Sequence, residues 1–596
     1  MKPSRKKESF ILQEKESLLQ KAAGWSVVAL VFLMPLKFGS ISVMPEAAGF
    51  FPEDLFSWLI VNWPAHSFGL FSGAALLLTL AAFRIPDLLS CRGITMLLWC
   101  IGLPVAGLAG FINTPASFYA EGELYHLLGI SAFCAAVFLI LSGREQENWK
   151  RRLAGAFTAG IFLLCVSGLR QYFQGFEEMR NFIAQQEQQG VAVNGVLRAK
   201  AADNRVYSCM VSANVLAGFL LLCLPFAVVM FCRAGRLFEP VNLSVKIFLL
   251  IMLIPGVSVL LMTKTRAAFL CALIAGGLFF FTLEIKKHWK ILLAAVILFC
   301  VAGGGFYIKY AGRGFGSLAE RGDYLRTACI MLPEKPLAGH GWGGFFYRHM
   351  KEKTTTTDES AHDPHNVFLS FAVHCGIPAA LVVCAAFFFP LAVLFRNRKT
   401  LDIRQLAGFW GIVAFTLHSC CDINMQIPAC MAGAGLLFLL ILPDEKYGFR
   451  QTPPAVKILS CILLAAVGIS SVYCNYRWLR GEVQFTALFD MLSLPPDKIP
   501  PQETVLRQYR KVELLRKNHP FASGIMGAFF MAKNDFAAAE HFLRSSLDRD
   551  PGRPATYMRL AELASRRGDK ENAQLLRRKA HSLFPSHPGY KLDKTP

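Results

Sequence analysis

The chain has 596 residues, of which 54% are hydrophobic and only 17% are charged, and its mean hydropathy is +0.41. This balance excludes an ordinary soluble protein and makes the bilayer the solvent for most of the chain. The formal net charge of +21 does not indicate nucleic-acid binding, because Lys and Arg residues lie mostly beside apolar runs. Most of the 17 cysteines lie inside apolar stretches without a CxxC pair, which is typical of core residues.

The N-terminal segment is charged and precedes an apolar run that has no small-residue cleavage signature. We therefore predict that residues 1–21 form a cytoplasmic tail and that the following run is an uncleaved signal anchor. Apolar runs of spanning length then recur along the chain, and they predict an all-α, polytopic membrane helix bundle of about 12–13 spanning helices. The predicted spans cover residues 22–42, 67–83, 93–112, 124–141, 153–169, 210–231, 247–262, 267–283, 291–308, 367–395, 406–417, 427–442 and 458–473.

The distribution of basic residues predicts the topology of residues 22–477, the transmembrane domain. With the N-terminus in the cytoplasm, every second connection is cytoplasmic, and those connections carry Lys or Arg residues. The alternate connections, including a long loop at residues 309–365, are then extracytoplasmic. An odd number of spans places the C-terminal tail outside as well.

Several arginines lie at the predicted outer ends of the spans. Arg205 precedes Asn214, which enters a membrane helix, and Arg266 ends the sequence MTKTR between two apolar runs. A charge at this depth is costly, which predicts an anionic partner for Arg266. The alternative is an interfacial topogenic charge, although such charges belong on the cytoplasmic side.

The predicted outer loop contains Arg321 and Arg326, then the turn-rich sequence PLAGHGWGGFF, and finally HDPHN. Gly339 and Gly341 lack the strand and acidic residue of a dinucleotide site, and we interpret them as turn and close-approach residues. His362 and His365 match no strong zinc pattern. Histidine at the junction of loop and membrane suits proton transfer, and the alternative is a helix cap formed by His365 and Asn366.

His418 and Asp422 are four residues apart, which predicts that they share a helix face at the outer end of their span. Several outward-facing arginines and a histidine together favour a diphosphate site with a proton acceptor nearby, because Arg makes bidentate and permanently charged contacts to phosphate.

Residues 478–596 have amphipathic helical patterning instead of apolar runs. Pro551 and Pro585 are 34 residues apart, and Asn534-Asp535 and Gly568-Asp569 have the same offset. This is the period of tetratricopeptide repeats, and it predicts an extracytoplasmic α-solenoid (TPR-like) domain that could dock a protein partner. The alternative is a plain helical cap.

Four stretches of the chain resemble the O-antigen ligase and polymerase superfamily of bacterial envelope enzymes. They are RVYSCMVSANVLAGFLLLCLPF, TKTRAAFL, ERGDYLRTACIMLPEKPLAGHGWGGFF followed by HNVFLSFAVHCGIP, and HSCCDINMQIPA. One departure is His374, which stands where the family often has an acidic residue. The resemblance covers about residues 168–442, and the tail resembles repeat domains appended to some members.

The resemblance implies a metal-independent enzyme without a cofactor in the bacterial inner membrane. It would move a glycan from an undecaprenyl-diphosphate-linked donor to a glycan or lipid acceptor, such as lipid A-core, on the outer side. Arg266 and Arg321 would bind the diphosphate and His365 would accept the proton of the acceptor hydroxyl. The candidate substrate-binding residues are Arg205, Asn214, Arg326, Gly339, Gly341, Asn366, His418 and Asp422.

Other functions fit parts of the sequence. Within the superfamily, a polysaccharide polymerase or a protein O-oligosaccharyltransferase would use the same donor. A transporter would require inverted repeats or paired broken helices, which the sequence does not display. A noncatalytic assembly scaffold would act through the tail and would not need Arg266 or His365.

Overall fold

The computed structural model describes residues 17–41, 55–190, 193, 195–238, 240–282, 316–354, 361–443 and 451–590. Within these ranges the chain forms helices and loops without a strand, apart from an isolated bridge between Gly39 and Met210. The prediction of an all-α protein is confirmed. Most of the predicted N-terminal tail and the predicted span at residues 291–308 lie outside the described residues.

The N-terminal half of the chain contains the first spans and the short helices between them. They are α1 (Leu18–Lys37), α2 (Leu55–Ile60), α3 (Ala65–Ala82), α4 (Cys91–Leu97), α5 (Leu103–Ala109), α6 (Ser117–Leu141), α7 (Gln146–Arg170), α8 (Phe176–Gln188), α9 (Gly195–Asp203), α10 (Ala213–Gly235), α11 (Val241–Met262) and α12 (Arg266–Thr282). A π-helical turn joins α4 to α5, and another joins α7 to α8.

The C-terminal half contains the helices of the large loop, the last spans and the tail. They are α13 (Gly316–Glu334), α14 (Gly344–Glu352), α15 (Val367–Cys375), α16 (Ile377–Arg396), α17 (Ile403–His418), α18 (Pro428–Ile441), α19 (Pro454–Leu492), α20 (Gln502–Leu515), α21 (Pro520–Ala532), α22 (Phe536–Arg549), α23 (Pro554–Arg566) and α24 (Lys570–Leu583). The described part of the predicted outer loop therefore contains two helices, α13 and α14.

Nine helices in the described part of the chain are long and apolar enough to cross a membrane. The predicted spans at residues 267–283, 406–417 and 427–442 correspond to the shorter helices α12, α17 and α18. The protein is a multi-pass membrane protein. Among the described spans α6 is the most enclosed, with 83% of its most apolar stretch buried.

The single span predicted over residues 367–395 is wrong, because the chain breaks at Gly376 between α15 and α16. Gly376 has a φ of +91°, and an added Cβ atom would lie 2.1 Å from the carbonyl oxygen of Leu337. Only glycine fits this conformation and this close backbone contact. The break allows α15 to end against the loop that precedes α14.

The tail repeats its local structure with the 34-residue offset found in the sequence. Pro520 and Pro554 begin α21 and α23, and the side chains of Asp535 and Asp569 cap α22 and α24. The residues before those caps, Asn534 and Gly568, both have positive φ. The tail is thus built from helical hairpins, while its assignment as a TPR-like solenoid stays a prediction.

The tail packs directly on the membrane bundle. Helix α19 runs without a break from a span into the tail, and the guanidinium of Arg516 lies 3.3 Å from the ring centre of Trp478 on that helix. Asn518 donates a hydrogen bond of 2.9 Å to Glu121 of α6. Farther along, the hydroxyl of Tyr347 on α14 donates to the carboxylate of Asp550, which is fully buried. The tail therefore contacts α14, a helix of the large loop.

Replacing Tyr347 with phenylalanine is expected to loosen this contact. The change leaves the buried Asp550 carboxylate without its hydroxyl donor, which costs about 1–3 kcal/mol. Hydrogen exchange of the α22 and α23 amides should therefore become faster. Tyr557→Phe is the matched control, because its hydroxyl donates to the carbonyl of Pro551 within the tail. Equal exchange rates in the two variants would contradict a stabilising role for the Tyr347–Asp550 contact.

Candidate active site

Arg205 lies in a network of hydrogen bonds that joins three segments of the chain. Its Nε donates to the carbonyl of Thr263 at 2.9 Å, and its Nη2 donates to Asn214 at 2.6 Å and to Thr265 at 3.1 Å. Asn214 lies in the first turn of α10, and Thr265 immediately precedes Arg266. The predicted pair Arg205 and Asn214 is therefore in direct contact, and both lie beside the N-terminus of α12.

Arg266 is the first residue of α12, and its side chain is exposed. The helix below it is anchored, because Ala268 and Cys271 are buried against residues of α10 and α17. Cys271 also forms a hydrogen bond with Cys421, the residue before Asp422. The helix that carries the exposed Arg266 guanidinium therefore packs on α10 and α17 and contacts the turn that contains Asp422.

Arg321 projects from α13 toward the turn that follows α17. Its Nη2 lies 3.9 Å from a carboxylate oxygen of Asp422, which is only 3% exposed. His418 is fully buried and lies within electrostatic reach of both residues. Its Nδ1 is 3.1 Å from the amide nitrogen of Asn424, whereas its Nε2 has no hydrogen-bond partner among the described residues. Asn424 therefore orients the buried ring of His418.

The prediction that His418 and Asp422 share a helix face is wrong. Helix α17 ends at His418, and the His418 carbonyl accepts a hydrogen bond of 3.0 Å from the Cys421 amide in the turn that follows. Asp422 therefore lies beyond the helix. The tight turn still holds its carboxylate near His418, so the two side chains interact for a different reason.

His365 has a left-handed backbone conformation, with a φ of +56°. Its amide donates to the side chain of Asp363 at 2.8 Å, and its ring stacks on Tyr324 with 4.7 Å between the centroids. Tyr324 is three residues after Arg321 on α13. Because Tyr324 and Arg321 lie on the same helix, this stacking places the His365 imidazole against α13, which also carries the Arg321 guanidinium.

Asn366 caps α15, since its side-chain oxygen accepts hydrogen bonds from the amides of Phe368 and Leu369. Its side-chain nitrogen donates to the carbonyl of Cys420 at 3.0 Å. The capping alternative is therefore correct for Asn366. Because Asn366 follows His365 in the chain, the hydrogen bond to Cys420 also holds His365 near the turn that contains Asp422.

Helix α10 connects the residues around Arg205 with those around His418. Gly218 lies one turn after Asn214, and a Cβ atom added there would be 2.6 Å from Nδ1 of His418. Glycine at this position lets the two helices approach closely enough to seat the imidazole. We define the polar cluster as Arg205, Asn214, Thr265, Arg266, Arg321, Tyr324, His365, His418 and Asp422.

Three other candidates have contacts outside the polar cluster. Arg326 is exposed and donates to the carbonyl of Glu352 at 3.1 Å. Gly339 and Gly341 have positive φ, and Cβ atoms added to them would lie 2.4 Å from the His374 carbonyl and 2.1 Å from the Thr114 amide nitrogen. These contacts support the close-approach interpretation of the glycines. Substrate binding by these three residues stays a prediction.

Gly341→Ala is expected to destabilise the protein. The added methyl group would overlap the backbone of residues 113 and 114, and the residue would keep a φ of +77°. Backbone strain of this kind costs about 1–3 kcal/mol. The midpoint of thermal unfolding in detergent should fall, whereas Gly155→Ala, where no atom lies within 4 Å of the added Cβ, should leave it unchanged. Equal midpoints for the two variants would show that the loop relaxes without cost.

His374 is buried and His362 is exposed, and neither belongs to a cluster of described residues that could bind a metal ion. The ring of His362 stacks on Phe346 with 4.1 Å between the centroids. His374 stacks on Trp342, and its Nδ1 is 2.8 Å from the Gly341 carbonyl. Among the described residues no group of three or more His, Cys, Asp or Glu side chains could hold a metal ion. His374, which stands where the family often has an acidic residue, therefore holds the turn at Gly341 in place.

Sequence reasoning missed three residues that shape the site. Thr265 lies within the TKTR stretch but carries no charge to distinguish it. Tyr324 supplies the ring beneath His365, and its spacing of three residues from Arg321 was the available signal. Glu123 is a buried carboxyl group on the enclosed span α6, within electrostatic reach of Asp363. An ionisable group inside a membrane span is costly, so a carboxyl group at this position is a candidate functional residue.

The comparison with protein families is consistent with this geometry. Residues 247–384 match a family model described as O-Antigen ligase, a segment that covers well under half of the chain. The segment contains Arg266, Arg321 and His365. No curated protein matches the chain. Over this segment the chain is similar to O-antigen ligases, and the match supports a glycan-transferring function.

Proposed function

We propose that the protein transfers a glycan from an undecaprenyl-diphosphate-linked donor to an acceptor at the polar cluster. The observation that carries this proposal is a set of three contacts: Arg205 with Asn214 at the start of α10, Arg321 with Asp422 in the turn after α17, and His365 with Tyr324 of α13. Fixed guanidinium groups favour a diphosphate, and a nearby imidazole suits an acceptor hydroxyl. The family match over residues 247–384 supports the same class of reaction.

In this proposal Arg266 and Arg321 bind the diphosphate and stabilise the negative charge that develops on the leaving group. Arg266 is exposed and carried by an anchored helix, so it can reach a lipid-linked anion. The 3.9 Å separation of Arg321 from Asp422 is longer than a direct hydrogen bond, so the guanidinium can exchange this carboxylate for a phosphate. Arg205, held by Asn214 and Thr265, assists at the donor.

His365 accepts the proton of the acceptor hydroxyl as the hydroxyl attacks the anomeric carbon of the donor sugar. Breakage of the bond between that carbon and the phosphate oxygen releases undecaprenyl diphosphate. Stacking on Tyr324 and the hydrogen bond to Asp363 restrict the orientation of the residue. Such restriction favours transfer, because the reacting groups must be aligned before the reaction.

The proposed location is the bacterial inner membrane, with the N-terminus in the cytoplasm and the tail on the outer side. We rank ligation to lipid A-core or another envelope acceptor first. Polymerisation of repeat units and protein O-glycosylation use the same donor chemistry and are the alternatives. The contact of Asp550 with α14 places the tail beside the loop helices, which favours acceptor or partner docking there.

A reconstitution assay tests the proposal. Purified protein in liposomes is mixed with a defined undecaprenyl-diphosphate glycan and three candidate acceptors: a lipid A-core, a second donor molecule and a Ser/Thr peptide. Mass spectrometry of the products is expected to detect transfer to one of them with release of undecaprenyl diphosphate. Absence of transfer to all three, together with uptake of a labelled solute into the liposomes, would favour a transporter instead.

A further inference from the structure

Helix α14 lies between the tail and α13, and it contacts each of them through a different face. Tyr347 and His349 are two residues apart on α14, so their side chains point about 200° apart around the helix axis. Tyr347 faces the tail, where its hydroxyl donates to the buried carboxylate of Asp550. His349 faces α13, where its ring lies 5.0 Å from that of Tyr324 between the centroids. One short helix therefore touches both the tail and the polar cluster.

The contact between His349 and Tyr324 belongs to a row of aromatic rings that ends at His365. Phe345, one turn before His349, lies parallel to the His349 ring with 5.7 Å between the centroids. Tyr324 meets the His349 ring at an angle of 71° and stacks on His365 at an angle of 20°. Both geometries are favourable for aromatic pairs. The first three rings are buried, and only His365 is partly exposed, so buried rings support the imidazole from behind.

The orientation of the His349 ring is itself fixed. Its Nδ1 accepts a hydrogen bond of 3.2 Å from the amide of Ala361. Burial, together with the nearby Lys353 cation, lowers the pKa of His349 to about 4, so the ring is neutral at neutral pH and its Nδ1 can accept. His349 therefore acts on Tyr324 by packing rather than by charge.

The tail encloses the side chain on the other face of α14. A Cβ atom added to Gly552, in the turn between α22 and α23, would lie 2.1 Å from the ring of Tyr347. In the same turn, the carboxylate of Asp550 accepts from the Tyr347 hydroxyl and lies 3.9 Å from the guanidinium of Arg553. Because such contacts are close-packed, α14 cannot move toward the tail without displacing this turn.

We propose that α14 positions the imidazole of His365, with His349 as the positioning residue against Tyr324 and Tyr347 as the anchor to the tail. This inference rests on the proposed function, in which His365 accepts the proton of the acceptor hydroxyl. The position of the acceptor matters, because a displacement of about 1 Å can lower a rate by about 10²-fold. The tail thereby contributes to the geometry of the polar cluster.

Two substitutions separate the ring of His349 from its hydrogen bond. His349→Phe keeps a ring against Tyr324 but loses the acceptor for the Ala361 amide. His349→Asn loses the ring but carries an oxygen where Nδ1 lies. The measurement is the NMR signal of the His365 Cε1–H group, recorded on the full-length protein in detergent with its 13 histidines labelled with ¹³C. The signal is identified by its absence from His365→Asn.

Stacking on Tyr324 moves the His365 proton signal upfield, and His349→Asn is expected to reduce this displacement. The same variant should lower kcat by about 10²-fold with KM unchanged, while His349→Phe should keep the displacement and most of the rate. His541→Asn, on the exposed surface of the tail, is the control. An unmoved His365 signal in His349→Asn would overturn the proposal. An equal loss in His349→Phe would also overturn it, because the Ala361 hydrogen bond would then be responsible.

Tyr347→Phe tests the anchor to the tail. It should move the His365 signal in the same direction as His349→Asn, whereas Tyr557→Phe, whose hydroxyl donates within the tail, should leave the signal in place. An unmoved signal in Tyr347→Phe would overturn the role of the tail. The signal is recorded without donor or acceptor, so it is independent of transfer. The expected signal changes in a protein that transfers no glycan would support the positioning of His365 and contradict the proposed function.

Discussion

Replacing Arg321 with alanine is expected to lower the rate of glycan transfer by about 10²–10³-fold. The guanidinium is proposed to stabilise charge on the departing diphosphate, and loss of one such preorganised group typically has an effect of this size. Arg321→Lys should recover part of the activity, because an ammonium keeps the charge but loses the bidentate geometry. The measurement is the initial rate of product formation in liposomes, with membrane insertion confirmed by protease protection.

Arg507→Ala is the matched control for this experiment. Arg507 is exposed on α20 of the tail, outside the polar cluster. Its loss removes an identical charge that has no proposed role at the diphosphate. If both alanine variants lower the rate equally, a general effect of positive charge explains the result and Arg321 has no special role at the diphosphate.

His365→Asn should reduce transfer by about 10²–10⁴-fold while donor binding is retained. Asparagine tolerates the left-handed conformation at φ +56° and keeps the amide that donates to Asp363. It cannot accept a proton at neutral pH, so the variant separates proton transfer from a structural role. Donor binding is measured with a fluorescent lipid-diphosphate glycan, and the transfer rate is measured in parallel.

His541→Asn serves as the control, because His541 is exposed on α22 of the tail. It should retain the wild-type rate. A nearly unchanged rate for His365→Asn would assign His365 to the loop structure around Asn366. The proposed function would then need another proton acceptor, and the buried nitrogen of His418 would be the next group to test.

The sequence predicted most of the membrane helices, because long apolar runs have few alternative structures. It also singled out Arg205 and Asn214, which are nine residues apart. Their contact with Thr265 could not be predicted, since that residue is more than fifty positions away and the contact depends on how α10 and α12 pack. Local chemistry thus identified the polar residues, and tertiary packing determined their partners.

Breaks in helices were the least predictable feature. The sequence around Gly376 is as apolar as a continuous span, and only the approach of the Leu337 carbonyl requires glycine there. Similarly, the four-residue spacing of His418 and Asp422 fits a helix, but α17 ends at the first of them. In both places a long-range backbone contact or a tight turn outweighed the helical periodicity.

Helix α19 determines how far the tail stands from the bilayer. Its 39 residues extend about 58 Å, whereas the hydrocarbon core is about 30 Å thick. Roughly half of the rod therefore projects into water, and Arg516 and Asn518 fasten the tail against its projecting part and against α6. The tail is consequently held at a constant height above the lipid surface, so any molecule that touches it must reach that distance from the membrane.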